Sequence, residues 1–199
     1  GGANYAEIFT TGANATSYSN TALSPATPYT YRVRAYNLSG NSAYSAAASA
    51  TTLPNAPVAP DGLTATAASS SQINLSWTDN NSNEDGTRIE RSIDGLNFSE
   101  IATVGANVTT YSSTGLTAGT PYTYRVRAYN AGGNSPYSGT ASATTLDAPP
   151  AAPSSLLLTA VSTSRIDLRW TDNSSNEANF MIERSTNNST WTVLGPVGA

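Results

Sequence analysis

The sequence predicts an all-β protein made of tandem antiparallel β-sandwiches. Three observations predict this fold class: a gapless internal repeat, an alternation of apolar and polar residues, and turn residues between the alternating segments. A period of two residues places successive side chains on opposite faces of a strand. No segment sustains the 3.6-residue period of an amphipathic helix. We therefore expect half-buried strands throughout the chain.

The internal repeat is 93 residues long and needs no insertion or deletion. The segment TPYTYRVRAYN at Thr27–Asn37 recurs at Thr120–Asn130, and NLSWTDN at Asn74–Asn80 recurs as DLRWTDN at Asp167–Asn173. A unit of this size lies in the usual range of a single domain. Because the repeats align without gaps, we expect the length of each loop to be as constant between units as the length of each strand.

Two proline-rich segments, Pro54–Pro60 and Ala148–Pro153, mark the boundaries between units. The positions of these two segments within the repeat predict three parts. Residues 1–53 are the C-terminal half of one repeat, residues 54–146 are a complete repeat, and residues 147–199 are the N-terminal half of a third. Half a sandwich cannot bury its core alone. We expect each half to be covered by a neighbouring repeat of a longer array or, head to tail, by the complementary half of another chain.

Alternating segments of the complete unit give the strands in order. Leu63–Ala67 and Ile73–Trp77 alternate first, and Tyr122–Ala128 alternates near the end of the unit. Turn signals separate the segments at Asp79–Gly86, Asp94–Gly95, Gly115–Pro121 and Ala131–Asn134. About seven short strands with turns at this spacing predict a β-sandwich.

These motifs together resemble the fibronectin type III domain. The resemblance is carried by Trp77, by the segment from Leu116 to Tyr122, by the alternation Tyr124–Asn130 and by Gly133–Ser138. The WTDN motif, Asn83-Glu84 and Ile89–Arg91 resemble the variant found in bacterial secreted and surface proteins. The resemblance implies strands A, B and E in one sheet and C, C′, F and G in the other. It implies no enzymatic activity.

The core must be held by apolar burial, since the chain has no cysteine for a disulfide. Large aromatic side chains on the inward alternation are the best candidates for this role. The predicted core residues are Trp77, Tyr122 and Tyr124 in the complete repeat, with Trp170, Tyr29 and Tyr31 in the two halves.

The composition excludes several kinds of chemistry. The chain has no His and no Cys, and its nine basic residues are all Arg, so imidazole bases, thiolate nucleophiles and Schiff-base lysines are excluded. We predict no enzyme and no cofactor. A net charge of −4 argues against a nucleic-acid partner. No apolar run reaches the roughly 20 residues that span a bilayer, so no membrane insertion is expected.

One acidic loop offers possible ligands for a cation. Asp79, Asn81, Asn83 and Asp85 place oxygen atoms at alternate positions, as calcium prefers. However, Glu84 occupies the position where an EF-hand loop requires Gly, and no bidentate Glu follows. The alternative is a loop stiffened by Asx turns, in which Asp79 and Glu84 accept hydrogen bonds from backbone amides or a nearby Arg.

Opposite charges are predicted to form a ladder across two strands. Glu90 lies on the outward alternation of strand C, and Arg125 and Arg127 lie on the outward alternation of strand F, its neighbour in this fold. A solvated ladder of this kind contributes roughly 0.2 to 1 kcal/mol per pair. The alternative is that the arginines form a ligand-binding patch.

These observations predict a non-enzymatic structural or adhesive tandem-repeat module of a bacterial surface or secreted protein. Its expected partners are neighbouring copies of the same repeat, in one chain or head to tail in a fibre, with a glycan or another surface protein as further candidates. The alternative function is a spacer or carbohydrate-binding accessory module of a secreted polysaccharide-degrading enzyme. Both functions predict an extracellular location.

Overall fold

The computed structural model describes residues 5–198, which form sixteen β-strands and no helix. The described range therefore contains no helix long and apolar enough to cross a membrane. We describe the strands in three parts, residues 5–53, 54–146 and 147–198, and among these described residues a buried core between two facing sheets lies in the middle part.

The middle part is a sandwich of two antiparallel sheets. One sheet has the order β5-β6-β9, and the other has the order β11-β10-β7-β8 with β12 also paired to β10. This division matches the predicted partition into strands A, B and E against C, C′, F and G. The strands are β5 (Asp61–Ser69), β6 (Gln72–Thr78), β7 (Gly86–Ser92), β8 (Ser99–Gly105), β9 (Thr110–Ser113), β10 (Pro121–Asn130), β11 (Gly133–Asn134) and β12 (Ala141–Thr144).

The core lies between these sheets and is built from alternate residues of the central strands. On β6, Ile73, Leu75 and Trp77 are buried, whereas the residues between them are exposed. On β10, Tyr122 and Tyr124 point inward, together with Val126 and Ala128. Because strand side chains alternate between faces, the period of two in the sequence becomes one apolar face on each sheet.

A tyrosine fixes the connection between β9 and β10. The backbone N–H of Thr117 donates to Oη of Tyr122 at 3.0 Å, next to the buried Leu116. The same bond recurs in the first part, where Ser24 N–H donates to Oη of Tyr29 at 3.0 Å. Each hydroxyl thus satisfies a loop amide while its ring stays on the apolar face.

The first part contains two separate two-stranded ladders. Its strands β1 (Pro28–Tyr31) and β4 (Ala48–Thr51) pair with each other, and so do β2 (Tyr36–Asn37) and β3 (Gly40–Asn41). Tyr29 and Tyr31 are half-buried, and Val33 is 72% exposed. The equivalent residues of the middle part are buried, so the difference comes from the lack of a facing sheet.

The third part contains two hairpins. They are β13 (Ser154–Ser162) with β14 (Arg165–Thr171), and β15 (Asn179–Arg184) with β16 (Thr192–Gly198). Trp170 is half-buried, with its ring centroid 5.3 Å from that of Phe180. Ile166 remains 58% exposed and Leu168 remains 37% exposed. The inner face of this part is therefore open in the single chain.

Candidate functional site

The candidate residues gather at two places on the middle repeat. The first is the loop between β6 and β7, which lies against the linker Pro54–Pro60. We call the asparagines Asn80, Asn81, Asn83 and Asn130 that bond this linker the linker clamp. The second is the outer face of β7 and β10, where Glu90, Arg125, Arg127 and Tyr137 form what we call the Arg–Glu cluster.

Asn81 makes the most complete contact of the linker clamp. Its Oδ1 accepts a hydrogen bond from Val58 N–H at 2.6 Å, and its Nδ2 donates to Val58 O at 2.9 Å. One amide side chain therefore satisfies both backbone groups of a linker residue, as a neighbouring strand would.

Asn130 joins the linker to two loops at once. The Nδ2 groups of Asn130 and Asn83 donate to Asn55 O at 2.8 and 3.1 Å, and Asn130 Nδ2 also donates to Asn83 O at 3.0 Å. Asn130 Oδ1 accepts from Gly132 N–H in the following turn. A Cβ atom on Gly132 would overlap the carbonyl oxygen of Pro54, so this turn and the linker are in close contact.

The loop proposed as a cation site is used differently in the structure. Asn81 and Asn83 direct their amides to the linker, and Asp85 is exposed. Asp79 Oδ1 accepts from Asn81 N–H at 3.0 Å, and Glu84 Oε1 accepts from the backbone N–H of Asn107 at 3.1 Å. These are the bonds of the Asx-turn alternative. Within residues 5–198, no three acidic residues lie close enough together to hold a metal ion.

Two of the clamp's four asparagines have counterparts that bond the second linker in the third part. Asn173 Nδ2 donates to Ala152 O at 2.8 Å and Asn176 Nδ2 donates to Ala148 O at 2.6 Å, at the positions of Asn80 and Asn83. Ser174 replaces Asn81, and its hydroxyl bonds Glu177 instead of the linker. The second linker therefore lacks the paired bonds that Asn81 gives the first.

Glu90 is the centre of the Arg–Glu cluster. Its Oε2 lies 2.6 Å from Nη2 and 2.8 Å from Nε of Arg125, which faces it directly across the two strands. Its Oε1 accepts from the Tyr137 hydroxyl at 2.6 Å and lies 3.5 Å from Nη2 of Arg127. Both carboxylate oxygens are thus held by two cations and a hydroxyl.

The predicted solvated ladder is wrong in one respect, because Glu90 is only 5% exposed. The Tyr137 ring covers the cluster: Cζ of Arg125 lies 3.8 Å and Cζ of Arg127 lies 4.7 Å from its centroid. Phe98 covers the other side of Arg125, with its centroid 4.1 Å from Cζ. The aromatic rings thus cover part of an outward-facing charge network and leave the two arginine side chains 28% and 24% exposed.

The surroundings of Glu90 lower its pKa. Burial alone raises the pKa of this carboxyl, but hydrogen bonds from Tyr137 and Arg125 and the charges of both arginines outweigh burial. The pKa of Tyr137 is raised, first by burial and then by its hydrogen bond to Glu90. Glu90 is therefore an ionised carboxylate in a structural network rather than a proton donor or acceptor poised for catalysis.

Sequence reasoning missed Tyr137, Phe98 and Asn130 as partners in these sites. A signal for the first two exists in the repeat, because aromatic residues recur at 93-residue spacing as Tyr5, Phe98 and Trp191, and as Tyr44 and Tyr137. In the first part, Cζ of Arg32 lies 4.0 Å from the Tyr5 ring and 3.8 Å from the Tyr44 ring. The same stacking therefore exists in two repeats.

The opposite sheet carries a shallow polar groove on its outer face. Hydroxyl and amide side chains of β5, β6 and β9 line it, and none of the residues that line it is charged. Thr64 and Ser76 share a hydrogen bond of 2.8 Å, and Ser112 Oγ donates to Asn74 Oδ1 at 2.9 Å. The groove thus offers uncharged hydrogen-bonding groups on the outer face of this sheet.

Comparison with known proteins gives a consistent result. The model of the fibronectin type III domain family matches residues 58–144. Exoglucanase B of Cellulomonas fimi is 34% identical over 172 residues, which cover 79% of this chain and 15% of that protein. Contactin-2 of Rattus norvegicus is 34% identical over 161 residues, which cover 77% of this chain and 15% of that protein. The chain thus spans only about a seventh of each relative's length.

A solved structure supports the fold independently. The crystal structure of the FN1–FN3 domains of chicken CNTN1 superposes with a TM-score of 0.52 at 24% identity. The match covers 65% of this chain and 46% of that one. At this level of identity, the likeness concerns the fold alone.

Proposed function

Because residues 58–144 belong to the fibronectin type III domain family, we propose that the chain is a non-catalytic structural module whose repeats are joined end to end in a secreted or cell-surface protein. The observation that carries the proposal is the linker clamp. It bonds the linker to the body of the repeat through side chains of two loops. A linker that is bonded in this way leaves the repeat in one fixed direction, so the repeat can act as a spacer.

The two linkers attach at opposite ends of the sandwich. The first linker is bonded beside the loop that follows β6. At the other end, Leu146 N–H donates to the carbonyl oxygen of Ser69, the last residue of β5, next to the turn that precedes β6. The length of β6 separates these points, so repeats that continue in both directions lie along one axis, as in other tandem-repeat proteins.

The linker is stiff for two reasons. Pro54, Pro57 and Pro60 fix the backbone dihedral φ and limit the conformations of the free segment. The clamp then bonds the backbone of Asn55, Val58 and Ala59. Little free chain remains between the repeat and its neighbour, which suits a structural role.

Replacing Asn81 with alanine tests the clamp. We expect the Val58 amide hydrogen to exchange with solvent roughly 5- to 13-fold faster, since the variant loses a bond of about 1 to 1.5 kcal/mol. Nuclear magnetic resonance measures this rate. Ala151 is the matched position in the third part, where Ser174 replaces Asn81, and its amide is expected to exchange fast in both proteins. Unchanged exchange at Val58 would contradict the clamp.

A second function has support from one relative. Exoglucanase B shares 34% identity with the chain, and the uncharged groove of hydroxyl groups on β5, β6 and β9 offers hydrogen-bond partners to a glucan. The chain would then be an accessory module of a polysaccharide-degrading enzyme. Against this, every aromatic side chain of residues 54–146 is buried or half-buried, and Tyr111, which lines the groove, packs against the core.

Retention on insoluble glucan separates the two functions. Under the structural proposal, the chain is expected to stay in the supernatant when it is mixed with cellulose and sedimented, because the aromatic residue that lines the groove, Tyr111, is half-buried and packs against the core. Bovine serum albumin is the control for non-specific retention. Retention that is lost on replacing both Asn74 and Thr64 with alanine would favour the accessory module instead.

A further inference from the structure

A short segment on the side of the middle repeat is attached to β10 through serine side chains. Residues 135–140 lie between β11 and β12 and outside the ladders that these two strands form with β10. We propose that these residues are a strap that closes the side edge of β10 and opens as a unit while both sheets stay folded. The proposal concerns the side of the repeat, so it goes beyond the function of the linker clamp.

Two serines make the bonds that strand residues would otherwise make. Ser135 N–H donates to Ala128 O at 2.9 Å, and Ser135 Oγ accepts from Ala128 N–H at 2.9 Å. Ser138 N–H donates to Val126 O at 2.8 Å, and Ser138 Oγ accepts from Val126 N–H at 3.1 Å. In a regular ladder a backbone carbonyl accepts the second bond of each pair. Here a side-chain hydroxyl takes the place of that carbonyl.

The hydroxyl bonds arise because the strap is longer than the strand it faces. Ala128 and Tyr124 are four residues apart on β10, whereas their partners Ser135 and Ala141 are six residues apart. The two extra residues form two bulges in the edge of the sheet. At each bulge a serine hydroxyl replaces the displaced carbonyl.

The same bonds recur in the first part of the chain. Val33 N–H donates to Ser45 Oγ at 3.1 Å, and Ala35 N–H donates to Ser42 Oγ at 2.9 Å. Val33 is 72% exposed, whereas its counterpart Val126 is fully buried. The serine bonds therefore form with or without a covering sheet, so the local geometry of the segment sets them.

The strap leaves no continuous row of free backbone groups on its outer side. Ser135 Oγ also donates to Pro136 O at 2.6 Å, and Ser138 Oγ donates to Gly139 O at 2.7 Å. Pro136 also lacks an N–H. A further strand needs such a row of donors and acceptors in order to pair. The strap thus protects the middle of β10 from strand addition.

The strap also carries the ring that covers the Arg–Glu cluster. Tyr137 lies between the two serines in sequence, and its hydroxyl donates to Glu90 Oε1 at 2.6 Å. Its ring centroid lies 3.8 Å from Cζ of Arg125. Opening of the strap therefore removes the ring from Glu90 and uncovers the backbone of Val126 and Ala128 at the same time.

The composition of the strap favours opening as a unit. Pro136, Gly139 and Thr140 are exposed, so the segment buries little apolar surface, and such segments open at a lower free energy than the core. A glycine stands near each end of the strap. Gly133 has a φ of 136°, which favours glycine, and no atom lies within 4 Å of the place where a Cβ would stand on Gly139. The strap can therefore swing outward while β10 stays paired with β7.

Hydrogen exchange in the full chain, measured by nuclear magnetic resonance, tests the strap. We expect the amides of Val126, Ala128, Ser135 and Ser138 to share one protection factor, at least about 10-fold below that of the Trp77 amide. Trp77 N–H is bonded in the opposite sheet and reports unfolding of the whole repeat. Low concentrations of urea are expected to accelerate the four amides less than Trp77, because opening of the strap exposes little surface.

Ser138→Ala shows whether the four bonds open together. Among the four amides, Val126 is the one that loses its acceptor in this variant, yet we expect all four to exchange roughly 5- to 13-fold faster. Ser138→Thr keeps the hydroxyl and is expected to exchange like the wild type. Ser142→Ala is the matched control, because it removes a hydroxyl of β12 that bonds the Thr123 side chain. It is expected to leave the four rates unchanged.

Three results would overturn the proposal. Acceleration confined to Val126 in Ser138→Ala would mean that the bonds open one by one. Equal protection and equal urea dependence of Trp77 and the four amides would mean that the strap opens only when the repeat unfolds. A Ser142→Ala effect as large as that of Ser138→Ala would mean that the strap is not separate from β12.

Discussion

Replacement of Trp77 with alanine is expected to lower the free energy of unfolding of the complete repeat by about 3 to 5 kcal/mol. The indole is 6% exposed and belongs to the cluster that joins the two sheets. Its removal leaves a cavity between β6 and β10 that the surrounding strands cannot close without losing their register. A change of this size is a large fraction of the stability of a domain of this length.

Denaturant unfolding of residues 54–146, followed by far-ultraviolet circular dichroism, measures this effect. The segment is expected to fold alone in a single cooperative transition, because its core is complete. Leu96→Ala is the matched control, since Leu96 is 83% exposed and its loss is expected to cost less than about 0.5 kcal/mol. Equal effects of the two substitutions would contradict the assigned core. A large loss of stability on adding EDTA would instead indicate a bound cation at the Asp79 loop.

The strands and the core of the complete repeat could be predicted because their signal is local. The alternation at Ile73, Leu75 and Trp77 depends only on the geometry of one strand, which the sequence pattern carries directly. The burial of Tyr122 could be predicted from the same alternation. These features require no knowledge of which strand lies beside which.

The burial of Glu90 could not be predicted in the same way. Its outward direction follows from alternation, but its exposure depends on Tyr137, which lies 47 residues later in the sequence. The ring reaches the carboxylate only because β10 lies beside β7 and the chain continues past it. Side-chain periodicity tells which face a residue occupies, and it does not tell what covers that face.

The linker clamp was hidden for a different reason. Asn81 bonds the backbone N–H and C=O of Val58, and every residue except proline carries both groups. The residue types of the linker therefore do not indicate which side chain will bond it. Asn80 and Asn83 recur as Asn173 and Asn176 beside a second proline-rich linker, and this recurrence is a trace of the clamp in the sequence.

Replacement of Glu90 with glutamine is the second change with a large expected effect, about 2 to 3 kcal/mol of destabilisation. The amide has nearly the shape of the carboxylate but leaves Arg125 and Arg127 without a counter-charge beneath the Tyr137 ring. The cost is smaller than for a fully buried pair, since the arginine side chains are 28% and 24% exposed. Glu183→Gln is the matched control, because Glu183 has no such partners among the described residues.

The pH dependence of this effect has a definite sign. Because the folded state lowers the pKa of Glu90 from its ordinary 4.5, the unfolded chain binds a proton at this group first as the pH falls. The stabilisation from Glu90 is therefore complete above about pH 5.5 and is lost as the pH falls through the folded pKa. The difference in unfolding free energy between wild type and the glutamine variant is expected to shrink below about pH 4.

Double-mutant cycles locate the stabilisation within the cluster. The coupling of Glu90 to Arg125 is expected to exceed its coupling to Arg127, because the nearest atoms lie 2.6 Å apart in the first pair and 3.5 Å apart in the second. Added salt is expected to weaken both couplings only modestly, since the rings of Tyr137 and Phe98 keep ions from the charges. Couplings near zero, or a complete loss in about 1 M salt, would mean that the network is solvated after all. The stability of the outer face would then come from the aromatic rings alone.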